Sequence, residues 1–246
     1  MHSLYYDFHI HSCLSPCGDD EMTPGNLVGM AKVKGLDVIA LTDHNSCKNC
    51  PAALFFGEQY DVTVIPGMEL CTAEEVHVIC LFPDLTSAMA FDTYVYERLI
   101  PIKNKEHIFG KQQIMDVNDL QVDCVENLLI NATDISFDDS FSLVESFGGV
   151  AFPAHINKSS TSLLSNLGFI PPDSIFKSVE LKNKEDLQSL LQNHPYLLDC
   201  NILYNSDAHY LGDIHEPIHG ISVEKITIVD IINALKFSPT ILTTLL

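Results

Sequence analysis

The chain has 246 residues, with 33 acidic and 13 basic side chains and a formal net charge of −20. Such an acidic surface disfavours a long nucleic acid as partner, because binding of the phosphate backbone relies on clustered Lys and Arg. With neither a basic leader nor an apolar run that could span a bilayer, the sequence predicts a cytosolic protein whose eight cysteines are thiols or ligands, with no membrane partner.

Apolar runs typical of buried strands alternate with helical patterns along the chain. The strand-like runs are Tyr5–His11, Asp37–Asp43, Val62–Leu70, His77–Phe82, Gly149–His155, Ser178–Leu181, Asn201–Asp207 and Gly220–Val223. One helix is capped by Thr23-Pro24 and ended by Gly35, and later helical patterns are Thr86–Leu99, Phe137–Phe147, Lys184–Gln192 and Ile228–Phe237. The alternation predicts an α/β protein with a parallel sheet, either open or closed, as a single domain over residues 1–246.

One segment departs from this alternation. Residues 101–133 are polar and less regular than the rest. We expect them to form an insertion or a lid near a functional rim.

The first strand carries an unusual polar face. In "DFHIHS", Asp7, His9 and His11 alternate with Phe8 and Ile10. Since successive side chains of a strand point to opposite faces, the three polar residues are expected on one side. A core would reject these groups, so the pattern indicates a site.

Similar side chains recur where other strands end. They are Asp43 and His44, Glu69, His155, and Asp207 with His209, whereas His77 stands at the start of its strand. The carboxyl ends of strands in a parallel barrel converge on one face. Imidazole and carboxylate ligands suit Zn, Mn or Fe, and their number predicts two or three divalent ions that activate a water and bridge a phosphoryl oxygen. Asp7, and likewise Asp43, is expected to accept the second ring N–H of a metal-bound histidine.

The motifs "DFHIHS", "LTDHNS", "GMEL", "EEVHVICLF", "PAH" and "SDAH" follow one another in the order found in the polymerase and histidinol phosphatase (PHP) family, which the chain resembles over nearly its whole length. The resemblance implies a distorted (β/α)7 barrel of the TIM-barrel-like PHP type, a trinuclear metal site and phosphoesterase activity. It also implies three ligand groups: His9, His11, Glu69 and Asp207 for the first ion, Glu69 with His77 and His155 for the second, and His44 with His209 for the third.

Family members supply a further ligand shortly after the first motif. Here that segment reads "SCLSPCGDDEMTP", where counting back from the helix start favours Asp19 and leaves its neighbour Asp20 equally plausible. For the substrate phosphate we expect Lys158 as a point-charge binder, helped by Ser159 and by His215. Asp7, His209 and Lys158 are the residues expected to have catalytic roles.

Four cysteines flank the first two motifs. Cys13 and Cys17 lie just after the first, and Cys47 and Cys50 form a Cys-x-x-Cys pair after the second. A separate structural zinc would need four ligands, and only three of these thiols are available to it. Packed or loosely paired thiols near the rim are the preferred interpretation.

The leading hypothesis is a metal-dependent phosphoesterase that hydrolyses a small phosphorylated metabolite or a short nucleotide by a metal-activated hydroxide. Two alternatives stay open: a metal-dependent amidohydrolase on the same barrel, and a non-catalytic, metal-stabilised regulatory module. A metal content near three ions per chain favours the phosphoesterase over the amidohydrolase. The sequence does not indicate the oligomeric state.

Overall fold

The computed structural model describes residues 1–237. Its strands are β1 (His2–Ile10), β2 (Val38–Leu41), β3 (Thr63–Cys71), β4 (His77–Leu81), β5 (Gln113–Met115), β6 (Gln121–Cys124), β7 (Val150–Pro153), β8 (Ser178–Glu180), β9 (Asn201–Leu203) and β10 (Gly220–Val223). Its α-helices are α1 (Pro24–Lys34), α2 (Cys50–Tyr60), α3 (Leu85–Tyr96), α4 (Glu106–Phe109), α5 (Phe137–Ser146), α6 (Leu163–Asn166), α7 (Leu187–Asn193) and α8 (Ile228–Lys236).

Six strands form one curled, half-barrel sheet in the order β10-β1-β2-β3-β4-β7. Strands β1, β2 and β3 are parallel, whereas β10 runs antiparallel to β1, and β4 runs antiparallel to both β3 and β7. Strands β8 and β9 pair in parallel as a separate ribbon. The sheet is therefore mixed: the expected parallel pairing holds for β1, β2 and β3, and not for β4, β7 and β10.

The reversed direction of β4 explains why His77 stands at the beginning of its strand. Cys71, the last residue of β3, pairs with His77, the first residue of β4. Val78 pairs with Pro153 at the carboxyl end of β7. The amino end of β4 therefore lies on the same rim as the carboxyl ends of β3 and β7.

Local sequence signals fix the first helix. The Thr23 hydroxyl caps α1 by accepting a hydrogen bond from the Asn26 N–H, and Pro24 occupies the first turn, where its missing N–H costs nothing. Gly35 ends the helix with φ of 81°, a left-handed conformation that glycine adopts without steric cost. Helix α1 thus begins and ends where the sequence predicts.

The apolar core has two large parts, which alternate residues of the main sheet separate, and a third small cluster of Leu14, Leu99, Val125 and Leu129. Alternate residues of β2 separate into the two large parts: Ile39 packs with the helices, and Val38 packs in the smaller of the two with Phe8 and Ile232 of α8. Phe8 is fully buried there.

Two regions add structure that the sequence pattern did not indicate. Helix α2 lies directly after the second motif, with small buried residues such as Ala52 and Ala53 against the core. Residues 101–133 contain α4 and the antiparallel β5–β6 pair. Asn45 ties this segment to the rim by donating hydrogen bonds to the carbonyls of Leu129 (2.7 Å) and Asn131 (2.8 Å).

Within residues 1–237, none of the helices combines the length and the apolar character that crossing a membrane requires.

Candidate metal centre

Nine ionisable side chains converge on one rim of the half-barrel. They are His9 in β1 with His11 just beyond it, His44 after β2, Glu69 in β3, His77 at the start of β4, His155 after β7, Glu180 at the end of β8, and Asp207 and His209 after β9. The expected metal residues other than the two aspartates of the first loop are all present in this group.

His9 and His11 face each other through their Nε2 atoms, which lie 3.0 Å apart. The opposite nitrogen of each ring is already engaged: His9 Nδ1 lies 3.0 Å from Glu180 Oε2, and His11 Nδ1 lies 2.9 Å from the Ser15 hydroxyl. Ser15 in turn donates to Asp43 Oδ1 at 2.7 Å. A ring that donates through Nδ1 presents a lone pair at Nε2, so both rings are oriented as ligands.

Two carboxylates complete this first group. His9 Nε2 lies 3.3 Å from Glu69 Oε1 and 3.4 Å from Asp207 Oδ1, and His11 Nε2 lies 3.3 Å from Glu69 Oε2. Ligands bound at about 2.0–2.1 Å in a tetrahedron stand about 3.3 Å apart. The four side chains therefore have the spacing of one metal coordination sphere.

Glu69 is the common partner of a second group. Its Oε1 lies 2.7 Å from His77 Nδ1 and 3.1 Å from His155 Nε2, and its Oε2 lies 2.9 Å from His44 Nδ1. Yet among residues 1–237 neither Glu69 Oε2 nor His44 Nδ1 has a partner with hydrogen-bond geometry. Buried polar atoms are almost always satisfied, so two facing orphans indicate a cation between ligands.

A third group lies at the open edge. Ligand atoms of His11, His44 and His209 all lie within 4.8 Å of one another. His209 Nδ1 contacts the Asp207 carbonyl at 2.9 Å, which leaves Nε2 as the free acceptor, and Cys17 Sγ lies 3.0 Å from that Nε2. The cluster as a whole fits a site for more than one divalent ion, with the donor set that suits Zn, Mn or Fe.

The electrostatics of the metal-free site centre on Glu69. Burial opposes its ionisation, but His77, His9 and His44 hold the pKa of Glu69 well below its usual range. Burial likewise opposes protonation of His77, but Glu69 outweighs it and raises the pKa of His77 to about 10. Since a cation and a proton compete for the same lone pair, metal binding must release the proton on His77.

Other rings of the cluster stay neutral. Burial lowers the pKa of His44 to about 4 and that of His209 to about 3, and it also lowers the pKa of His155. Neutral imidazole is the form that binds metal. These three rings are thus ready to act as ligands near neutral pH.

Glu180 is the functional residue that sequence reasoning missed. It is 1% exposed and accepts hydrogen bonds from the His9 ring, from the His155 N–H (3.0 Å) and from Asn205 Nδ2 (2.7 Å). The signal was a lone carboxylate at the end of the predicted strand Ser178–Leu181. Glu180 has the role that was expected for Asp7 from the sequence: it accepts the second ring N–H of a histidine in the cluster.

Asp7 is buried but does not hold a histidine ring. Its carboxylate accepts from the backbone N–H groups of His9 (3.3 Å), Ser206 (3.1 Å) and His215 (3.3 Å). The register of β1 against β2 shifts between Asp7 and Ile10, so strict alternation does not extend along this strand. The contacts of Asp7 fix the backbone beside Asp207 instead.

The loop after β1 places neither Asp19 nor Asp20 in the cluster. The Asp19 carboxylate accepts from the Glu21 N–H at 2.9 Å, and the Asp20 carboxylate accepts from Gln113 Nε2 at 2.6 Å. A tight turn, in which the Gly18 N–H bonds the Ser15 carbonyl, directs the loop so that Cys17 faces the cluster. The described structure therefore does not bring either expected aspartate to the cluster, and an aspartate ligand from this loop stays a prediction.

The expected substrate residues have different placements. Lys158 Nζ lies 2.9 Å from Asp207 Oδ2, and although burial opposes its charge, Asp207 raises the pKa of Lys158. Ser159 is exposed beside it. His215 is half-buried, and its backbone rather than its ring contacts Asp7.

Two residues of the rim have strained backbones. His155 has φ of 29° and Asp207 has φ of 55°, a region that few non-glycine residues adopt. Such conformations persist where the surroundings determine them, frequently at functional sites.

Among the cysteines, Cys13, Cys47 and Cys50 are buried as free thiols, and Cys17 is exposed. The Cys47 thiol lies 3.1 Å from the Gly67 carbonyl. Packed thiols were expected, and these three have that environment.

Comparison with protein families finds a PHP domain match over residues 7–190. An uncharacterized protein of Methanocaldococcus jannaschii is 33% identical over 76 residues, which are 28% of this chain and 44% of that protein. A 5'-3' exoribonuclease of Haemophilus influenzae is 32% identical over 84 residues, 33% of this chain and 30% of that protein. The chain thus matches less than half the length of either relative.

Solved structures show the same fold. Endonuclease Q of Pyrococcus furiosus covers 96% of this chain with a TM-score of 0.67 at 19% identity, and the match spans 56% of that protein. A two-domain protein of Bacteroides vulgatus that contains a predicted PHP-like metal-dependent phosphoesterase covers 96% of this chain, over 63% of its own length, with a TM-score of 0.52 at 18% identity. The expected fold class, an α/β fold of the distorted-barrel type, is confirmed.

A further structure of endonuclease Q (TM-score 0.65, 18% identity, 96% of this chain and 57% of that one) contains a 27-mer duplex with an abasic lesion at the active site. The expectation that a long nucleic acid is disfavoured as a partner conflicts with this finding, because this fold accommodates a duplex. Net charge alone is therefore insufficient to exclude such a substrate.

Proposed function

Because the chain belongs to the PHP domain family, we propose that it is a phosphoesterase that uses three divalent ions to hydrolyse a small phosphorylated metabolite or a short nucleotide. The match to this family supports the expected enzyme class, a metal-dependent phosphoric ester hydrolase. The observation that most strongly supports the proposal is the convergence of buried imidazoles on Glu69, where Glu69 Oε2 and His44 Nδ1 face each other without hydrogen-bond partners among residues 1–237.

The residues that would hold the ions follow from the three groups. The first consists of His9, His11, Glu69 and Asp207, the second of Glu69, His77 and His155, and the third includes His44 and His209. When bound, such ions lower the pKa of a water and neutralise charge on a phosphoryl group.

The protein's own contribution is orientation. Glu180 holds the His9 ring so that Nε2 faces the site, and Ser15 does the same for His11. Asp7 anchors the backbone on either side of Asp207 through the N–H groups of Ser206 and His215. These contacts fix the positions of the ligands before any substrate arrives.

Lys158 supplies the positive charge at the entrance. Its ammonium group lies 2.9 Å from Asp207 Oδ2, and its side chain is 35% exposed, so it can turn from that carboxylate to a phosphate oxygen. Lys182 Nζ lies 3.8 Å from the same Asp207 oxygen, so two ammonium groups can attract an anionic substrate, and Lys158 is the nearer to the carboxylate. Neighbouring Ser159 is exposed and can donate to the same phosphate.

The proposal is tested by elemental analysis of protein purified without chelator, followed by phosphate-release assays with phosphomonoesters and short oligonucleotides. We expect about three ions per chain, and a loss of at least about 100-fold in activity in His9→Ala because a ligand is removed. His107→Ala is the matched control, since His107 is exposed on α4.

The absence of turnover of either substrate class in fully metallated protein would overturn the proposal. Hydrolysis confined to an abasic duplex would overturn the substrate class alone. One or two ions per chain, together with amide hydrolysis, would favour an amidohydrolase.

A further inference from the structure

An exposed thiol stands beside the outermost histidine of the rim. Cys17 Sγ lies 3.0 Å from His209 Nε2, although the two residues are 192 positions apart in the chain. The surrounding backbone fixes this approach: the Asp19 N–H donates to the His209 carbonyl at 3.0 Å, and the Gly18 N–H donates to the Ser15 carbonyl at 2.8 Å. The contact is therefore built into two loops that are bonded to each other.

The ring chemistry of His209 leaves a lone pair facing the sulfur. Its Nδ1 is 2.9 Å from the Asp207 carbonyl, which can only accept, so Nδ1 carries the proton and Nε2 does not. The ring of His11 stacks on it at 4.2 Å between centroids. His209 Nε2 and Cys17 Sγ thus face each other directly as two atoms that could bind one metal ion.

A second observation points to a ligand in the same place. His44 is only 6% exposed, and its ligand atom lies within 4.8 Å of those of His11 and His209; its Nδ1, which lies 2.9 Å from Glu69 Oε2, has no partner with hydrogen-bond geometry among residues 1–237. An orphaned buried nitrogen costs free energy unless something binds it. A cation bound by His44 and His209 would satisfy both rings.

We propose that Cys17 is a thiolate ligand of the third ion, beside His44 and His209, and that this ion is zinc; the inference rests on the metal-dependent function proposed above. On binding, the S–H proton is released to solvent and an S–metal bond forms, with no change in oxidation state. Thiolate ligands select zinc over manganese, and three protein ligands leave a coordination position open.

The three groups then differ in the metals they prefer. The first two contain Glu69, and the first also contains Asp207, whose oxygens suit Mn as well as Zn. The third group contains imidazole and sulfur. We therefore expect one ion per chain to resist exchange by manganese while the others exchange.

The first experiment uses the wild-type chain. Metal-free protein is treated with iodoacetamide, alone and with zinc or manganese, and the modified peptides are quantified by mass spectrometry. Zinc should slow alkylation of Cys17 by at least about tenfold, because the bound thiolate is no longer a free nucleophile. Cys124, which is half-buried on β6, is the internal control and should react at the same rate throughout.

The second experiment is zinc X-ray absorption spectroscopy. We expect a sulfur scatterer at about 2.3 Å in the wild type and in Cys124→Ser, and none in Cys17→Ser or Cys17→Asp. Cys17→Asp should keep the third ion while losing its preference for zinc over manganese, since a carboxylate replaces the thiolate.

The outcomes separate the two proposals. A protein that binds three ions without zinc–sulfur scattering, or with unprotected Cys17, overturns the assignment of Cys17 and leaves the phosphoesterase standing. A protein that binds no metal overturns both. Sulfur scattering that survives in Cys17→Ser also refutes the assignment.

Discussion

The Glu180→Gln substitution changes the buried carboxylate that orients His9 with little change in shape. Glu180 accepts at both oxygens: from His9 Nδ1 (3.0 Å) and Asn205 Nδ2 (2.7 Å) at Oε2, and from the His155 N–H (3.0 Å) at Oε1. Glutamine has one acceptor oxygen and one NH2 group. If the NH2 group replaces Oε1, it faces the His155 N–H; if it replaces Oε2, it faces Asn205 Nδ2. The Asn205 amide cannot turn to relieve this clash, because its Oδ1 accepts a hydrogen bond from the Phe8 N–H.

The magnitude follows from these contacts. Hydrogen bonds to a charged group contribute about 1.5–3 kcal/mol each. In Glu180→Gln one hydrogen bond loses its charged acceptor and another is replaced by two donors that face each other, so the free energy of unfolding of the metal-free protein should fall by about 2–4 kcal/mol. Loss of a carboxylate behind a metal-bound histidine typically weakens metal affinity by about 10–100-fold, or about 1.4–2.7 kcal/mol. The first ion should be the one affected, since His9 belongs to that group.

The assay pairs urea unfolding of the chelator-treated protein with competition for zinc against a chromophoric chelator. Glu185→Gln is the control, because Glu185 lies exposed only five residues away. If Glu180→Gln matched this control in both unfolding free energy and zinc affinity, the orienting role of Glu180 would be refuted.

Three further predictions address the core, the substrate and pH. Phe8→Ala should lower the free energy of unfolding, measured in urea, by about 3–5 kcal/mol, since Phe8 is fully buried. Phe169→Ala is the control and should change this free energy little, because Phe169 is 55% exposed. Equal effects of the two substitutions would contradict the assigned core. Lys158→Gln should raise KM for a phosphomonoester by about tenfold with a smaller change in kcat, and Lys158→Arg should restore part of the loss; an unchanged KM argues against phosphate contact. His77 has its pKa raised from 6.5 to about 10 in the folded, metal-free protein, so its stabilisation is complete below pH 6.5 and is lost as the pH rises towards 10. Urea unfolding at several pH values should show this decline, with a smaller slope in His77→Asn; a slope identical in both proteins would contradict the assigned ion pair.

Much of the site could be predicted because its residues end apolar strands. His9, His11, Glu69 and His155 were each expected at the rim from the sequence alone, and the geometry brings them together. His77 was an exception in a scheme of parallel strands. The family resemblance assigned it to the second ion, but the physical reason is the antiparallel pairing of β4, which no local pattern reveals.

Other features of the site and fold could not be predicted from the sequence, each for a physical reason. Glu180 is a single carboxylate whose partner His9 is 171 residues away, so nothing near it in the chain marks it. Helix α2 buries small residues, including Ala52 and Gly57, rather than a stripe of large apolar ones, and its period is hidden. In the first loop, counting along the chain favoured Asp19, whereas the turn at Gly18 determines which side chain faces the histidines.

The joining of the first strand to the segment after β9 has a consequence for biosynthesis. Ile10 bridges Ala208, and the His11 N–H bonds the Ala208 carbonyl at 3.0 Å, across about 200 residues of chain. A ribosome adding about 5–20 residues per second needs roughly 10–40 s to supply that stretch. Throughout that interval the nascent chain displays its early imidazoles without their late carboxylate, so cation capture can be completed only once translation has passed Asp207.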